Sequence, residues 1–154
     1  MATTTKHSLT VRSVAFSAGG HIPLQYACEG EDINPPLEIT GFPEGTKTLA
    51  IIVEDPDAPR GTFDHWLVWN IPPNEPIDEN SVPGISGRNG FGKTGYGGSC
   101  PPSGSHRYFF RVYALDAKLD LPAGSDKKTL QDAMKGHILA SGELMAQYQK
   151  KGRR

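Results

Sequence analysis

Residues 48–73 read TLAIIVEDPDAPRGTFDHWLVWNIPP, and the punctuation of this stretch decides the fold. An apolar strand, Thr48 to Glu54, empties directly into Asp55-Pro56-Asp57-Ala58-Pro59-Arg60-Gly61. Two carboxylates are therefore expected where a rigid element gives way to a proline-stiffened turn. The next run, Phe63 to Ile71, carries the two-residue period of a strand. That period predicts Phe63, His65, Leu67, Trp69 and Ile71 on one face, with Asp64, Trp66, Val68 and Asn70 on the other. Pro72 and Pro73 stop it, because proline withholds the donor that a sheet ladder needs.

Working outward, the same alternation of apolar runs and turn clusters predicts strands at Leu9 to Val14, Leu37 to Thr40 and Arg107 to Leu115. In the last of these, His106, Tyr108, Phe110 and Val112 point one way, and Arg107, Phe109, Arg111 and Tyr113 the other. Ser81 to Ser105 is aperiodic and crowded with Gly and Pro, and a loop of that length in a compact domain is usually functional. Toward the end, Leu130, Met134, His137, Ile138, Ser141, Leu144, Met145 and Tyr148 recur at three- and four-residue intervals, which predicts one amphipathic helix, weakened or broken near Gly142. His137 on that stripe reads as a satisfied core residue.

The chain has 154 residues, which suits a single domain over 1–154 with a core that needs no cofactor or staple. Its 18 Gly and 13 Pro are too many for a helical bundle, and its apolar runs too strong for disorder. A mainly β class follows. No apolar run approaches membrane-spanning length, and MATTTKHSLTVRS lacks the hydrophobic core of a secretory leader, so the expected compartment is the cytoplasm. Cys28 and Cys100 have no metal-type spacing, and two free thiols are expected in a reducing cytosol. Lys150, Lys151, Arg153 and Arg154 read as a solvated helix end; without a basic, aromatic-lined stripe elsewhere, no nucleic-acid partner is expected.

Gly87 to Thr94, GRNGFGKT, matches the phosphate-cradling pattern G-x-x-x-x-G-K-[ST]. That loop works only between a strand and a helix whose N–H groups face the phosphates. Upstream stands NSVPGIS and downstream GYGGSCPPSG, so neither flank exists and nucleotide hydrolysis is rejected. The remaining polar set, the turn Asp residues with His65, His106 and Tyr108, admits several readings. A metal site would draw single ligands from separate segments, without HxH or HExxH spacing. A nucleophile would be Cys100 or a loop Ser beside His106, without a G-x-S-x-G elbow. A pocket could instead bind a ligand without reacting, or each Asp could cap its turn and each His be satisfied in the core.

Taken in order, DPDAPRG, FDHWLVWNIP and GGSCPPSGSHRYFFRVYALD, with IPLQYACEGEDINPPLEI before and AMKGHILASGELMAQY after, resemble the phosphatidylethanolamine-binding protein family, in its short bacterial and archaeal Raf-kinase-inhibitor-like branch. The resemblance implies an antiparallel β-sandwich with a C-terminal helical segment and an anion pocket near one end. It places Asp55, Asp57, His65, Pro102, His106 and Tyr108 at that pocket, with Phe63 and Cys100 at its rim. Ala58-Pro59 is then a candidate cis bond, and backbone N–H groups of Gly97 to Cys100 candidate anion donors. The implied function is non-enzymatic binding of phosphate or a phosphorylethanolamine-like group, without metal or cofactor, extending to modulation of a kinase or protease. A metal- or Cys-dependent hydrolase on the same residues is the alternative, and surface recognition, as in a homodimer, a third reading.

Overall fold

The computed structural model describes residues 7–150. Lys151, Arg153 and Arg154 of the basic end, and the first six residues of the stretch read for a leader, lie outside them. In chain order the elements are β1 (His7–Ser8), β2 (Thr10–Arg12), a short 3-10 turn (Leu24–Tyr26), β3 (Glu38–Thr40), β4 (Thr48–Asp55), β5 (Phe63–Ile71), β6 (Ile85–Ser86), β7 (Ser105–Leu115), α1 (Lys127–Met134) and β8 (Ile138–Gln149). Six strands form one sheet in the order β1-β8-β7-β4-β5-β6, and β2 and β3 form a two-stranded ribbon. All strand pairs are antiparallel except β1 with β8. The fold is mainly β with one helix toward the C-terminus, as the sequence pattern and the resemblance imply.

β4 is central because its two faces are both apolar. Leu49, Ile51 and Val53 join Val11, Trp66, Val68, Phe110 and Leu144 in a core under the β2–β3 ribbon. Ala50 and Ile52 join Leu67, Trp69, Leu115, Leu130 and Met134 on the opposite face, under α1. A strand that buries both faces reads as a continuous apolar run, which is what LAIIV is. Asp126 caps α1 by accepting from Thr129 N at 2.9 Å. Lys127 at its first turn meets Asp64 at 2.7 Å and Glu54 at 3.2 Å, anchoring the helix to the sheet.

The C-terminal segment departs from expectation. The helix is there, but it ends at Met134, and residues 138–149 form β8, the longest strand described. Gly136 takes φ +82°, a left-handed conformation that terminates the helix. From there Ala140, Leu144, Ala146 and Tyr148 are buried and alternate with more open neighbours, and the strand pairs with β7 along its whole length. Gly142 admits the close crossing of the N-terminal segment: a Cβ there would stand 2.3 Å from Leu9 O. Among the described residues, no helix is long and apolar enough to cross a membrane.

The β5 faces also differ from strict alternation. The β4–β5 register slips by one residue between the pairs Val53·Trp66 and Glu54·Asp64, which leaves His65 as the extra residue of a bulge. His65 consequently packs beside Tyr108, which belongs to the same core as Trp66 and Val68, and not with Leu67 and Trp69. A second slip, beside Asn70 at φ +57°, moves Ile71 into the Trp66 core as well.

Candidate functional site

Antiparallel pairing brings the end of β4, the start of β5 and the start of β7 to one edge of the sheet. Asp55, Phe63, His65 and His106 arrive there from three strands and line one cavity of about 320 Å³, with Cys100 and Pro102 from the loop before β7. Asp55, His65 and His106 are 3%, 4% and 9% exposed, and so form its buried base. Phe63, Phe91, Pro101 and Pro102 supply an apolar wall, and Pro59, Arg60 and Thr62 line the side nearest the turn.

A buried carboxylate needs every oxygen answered. Asp55 Oδ1 accepts the Asp57 backbone N–H at 2.7 Å, and Oδ2 accepts from His106 Nδ1 at 2.6 Å. His65 is held differently: its Nδ1 lies 2.8 Å from Gly97 O, while Gly97 N donates back to His65 O at 2.8 Å. Its ring packs against Phe63 at 4.9 Å, Tyr108 at 5.2 Å and Phe91 at 5.7 Å. Burial among these rings pushes the His65 imidazole below its ordinary value, against the opposing pull of its carbonyl partner and of Asp55.

Asp57 and Tyr108 do not line the cavity. Asp57 faces outward, where Arg107 grips it through Nε and a terminal nitrogen, both at 2.9 Å, and through its backbone N–H. These bonds hold its carboxyl well down, to about 2. Tyr108 lies beneath the base, 1% exposed, with its ring stacked on His106 at 6.4 Å. Burial pushes its hydroxyl pKa up, so it stays protonated.

Three further expectations are corrected. Cys28 and Cys100 are not free thiols: they form a disulfide, with Cα atoms 5.4 Å apart. Seventy-two positions of separation hid a contact that the adjoining backbone makes anyway, since Cys28 N donates to Ser99 O at 3.0 Å and Tyr96 Oη to Tyr26 O at 2.7 Å. The expectation of free thiols, drawn from a reducing cytosol, falls with it. Ala58-Pro59 is trans, as is every described peptide bond; the Asp55–Asp57 bond and Gly61, at φ +107° and donating to Ala58 O, shape the turn instead. Gly97 and Gly98 offer no anion nest, because their N–H groups already donate to His65 O and Asp32 Oδ1.

Arg60 and Phe91 were the residues missed. Arg60 lies inside the DPDAPRG motif, where the sequence alone gives it no role; it is exposed and lines the cavity, and no ion pair ties it down among the described residues. Phe91 belongs to the rejected GRNGFGKT segment. That segment is a turn closed by an Arg88·Thr94 bridge, with Asn89 Oδ1 accepting from Phe91 N and Lys93 N, and it presents Phe91, 43% exposed, to the cavity. Among the described residues, no group of three or more His, Cys, Asp or Glu is placed to hold a metal ion.

Comparison with known proteins gives a consistent picture. A family model described as phosphatidylethanolamine-binding protein matches residues 12–149. A UPF0098 protein of Pyrococcus horikoshii is 50% identical over 157 residues, covering 95% of this chain and 79% of the relative. A UPF0098 protein of Archaeoglobus fulgidus is 51% identical over 150 residues, or 92% of this chain, which spans about half (51%) of that relative's length. Among solved structures, a phosphatidylethanolamine-binding protein homologue from Chlamydia trachomatis superposes with a TM-score of 0.90 at 40% identity, covering 95% of this chain and 100% of that one.

Proposed function

The chain belongs to the phosphatidylethanolamine-binding protein family, and from that premise we propose that its cavity binds a small anion, phosphate or a phosphorylated group, without transforming it. The observation that carries the reading is the state of Asp55. Both of its oxygens are already engaged, one by Asp57 N–H and one by His106, so the carboxylate serves to orient an imidazole. With Nδ1 turned to Asp55, Nε2 is the His106 nitrogen left for a guest, and as an imidazolium it would donate a charge-assisted hydrogen bond. Arg60 adds a cation without an ion-pair partner among the described residues on the turn side of the cavity. The sulfur that a Cys100-dependent hydrolase would use as nucleophile is bonded to Cys28, which favours binding over covalent chemistry.

Isothermal titration at about pH 6.5 with inorganic phosphate and with phosphorylethanolamine tests this. Saturable one-to-one binding is expected, weakened about tenfold or more in His106→Ala, as loss of a hydrogen bond to a charged group implies. Absence of binding for both anions, or equal affinity in the variant, would overturn the reading.

A further inference from the structure

Each of the two imidazoles of the cavity is held at Nδ1 by an acceptor, one charged and one neutral. His106 Nδ1 faces a carboxylate at 2.6 Å, whereas His65 Nδ1 faces the Gly97 carbonyl at 2.8 Å. A carbonyl oxygen can only accept, so His65 Nδ1 must carry a hydrogen. A neutral imidazole has one N–H, and Nε2 is therefore left as a lone pair. Only 4% of His65 is exposed, the ring lines the cavity, and no protein group among the described residues bonds Nε2. The groups facing the ring are Phe63, Phe91 and Tyr108, with Asp55 and Asp64 near enough to act on it electrostatically. Burial opposes a second proton here and outweighs the two carboxylates, so the neutral ring is the resting state near pH 7.

Resting on the anion-binding reading above, we infer that the cavity selects an oxyanion bearing a hydrogen of its own, an inorganic phosphate or a phosphomonoester, over sulfate or a phosphodiester. The guest must accept from Arg60, and from His106 as an imidazolium, and donate to His65 Nε2. Phosphate near neutrality does both, since each of its populated forms keeps at least one P–OH. A phosphomonoester, with its second pKa at about 6, does so in its monoanionic form. Sulfate at this pH has no hydrogen to give, and a diester has none at any pH above its own strong acidity. Either would set an oxygen lone pair against the lone pair of His65 and leave a buried acceptor without a donor, which costs roughly tenfold or more in affinity. The distinction separates two sources of the same phosphoryl chemistry. A free phosphorylated headgroup is a monoester and fits; the headgroup of an intact diacyl phospholipid is a diester and does not.

The test is a titration of the full chain at about pH 6.5 with four probes: inorganic phosphate, sulfate, methyl phosphate and dimethyl phosphate. Phosphate and methyl phosphate should bind about tenfold or more tightly than sulfate and dimethyl phosphate. Charge alone cannot produce that grouping, because sulfate is a dianion and dimethyl phosphate a monoanion. In His65→Phe, which keeps a ring and loses the acceptor, phosphate should fall to the level of sulfate. His65→Gln, whose amide can donate to Gly97 O while its carbonyl accepts, should restore the preference. Four affinities within about twofold of one another would overturn the inference and leave the anion site standing, as would a preference unchanged in His65→Phe. Failure of all four to bind would remove the anion-binding reading and this inference together.

Discussion

A histidine with 4% of its surface exposed must settle which charge state the fold tolerates, and His65 settles on the neutral one. The consequence for stability follows from linkage. The unfolded chain begins to take up a proton at this position as pH falls through about 6.5, the ordinary histidine value, whereas the folded chain resists until lower pH. The contribution of His65 to stability is thus complete above about pH 6.5 and declines as pH falls from there toward the depressed folded value. Urea midpoints measured between about pH 7.5 and 5 should fall more steeply for the native sequence than for His65→Phe. Parallel slopes would mean that the imidazole is not held neutral. Asp57 illustrates the other residue-scale outcome: an exposed carboxylate whose depressed pKa reflects the Arg107 clamp and whose role is to brace the turn from outside.

Among the elements, β8 joins the N-terminal segment to the large sheet, and at Gly142 that segment leaves no room for a Cβ. Gly142→Ala should cost about 1–3 kcal/mol, the usual penalty for forcing atoms into a packed contact, because the obstacle is the Leu9 backbone and not a movable side chain. Chemical denaturation reads it, and an unaltered midpoint would show that the crossing is looser than described. The same strand shows where the sequence could be read and where it could not. β4, β5 and β7 were legible because apolar alternation and proline punctuation agree there. The residues of β8 were not, since Leu144 and Tyr148 satisfy a helical spacing and a strand alternation at once, and pairing with β7 beyond the turn at Gly136 divides them. Asp55, His65 and His106 were legible as motif residues. The bulge that aims His65 was not, because a period of two contains no sign of an inserted residue.

For the molecule as a whole, three strand ends gather the site at one edge, and one covalent bond ties that edge to the segment following the Leu24–Tyr26 turn. Cys100 is both a lining residue of the cavity and one end of a bridge that closes a large loop in the unfolded chain. A bridge of this kind typically contributes about 2–4 kcal/mol, so guanidinium midpoints should drop accordingly in Cys28→Ser/Cys100→Ser, and likewise for the native sequence under reductant. Equal midpoints with and without reductant would show that the bond carries no stability. The bond also makes residues 28–100 a closed covalent ring that contains β3, β4, β5 and β6. A protease that severs the backbone once inside this ring, for instance beside the protruding Val82, which is 77% exposed, releases no fragment. The nicked protein keeps its full mass until a thiol opens the bridge.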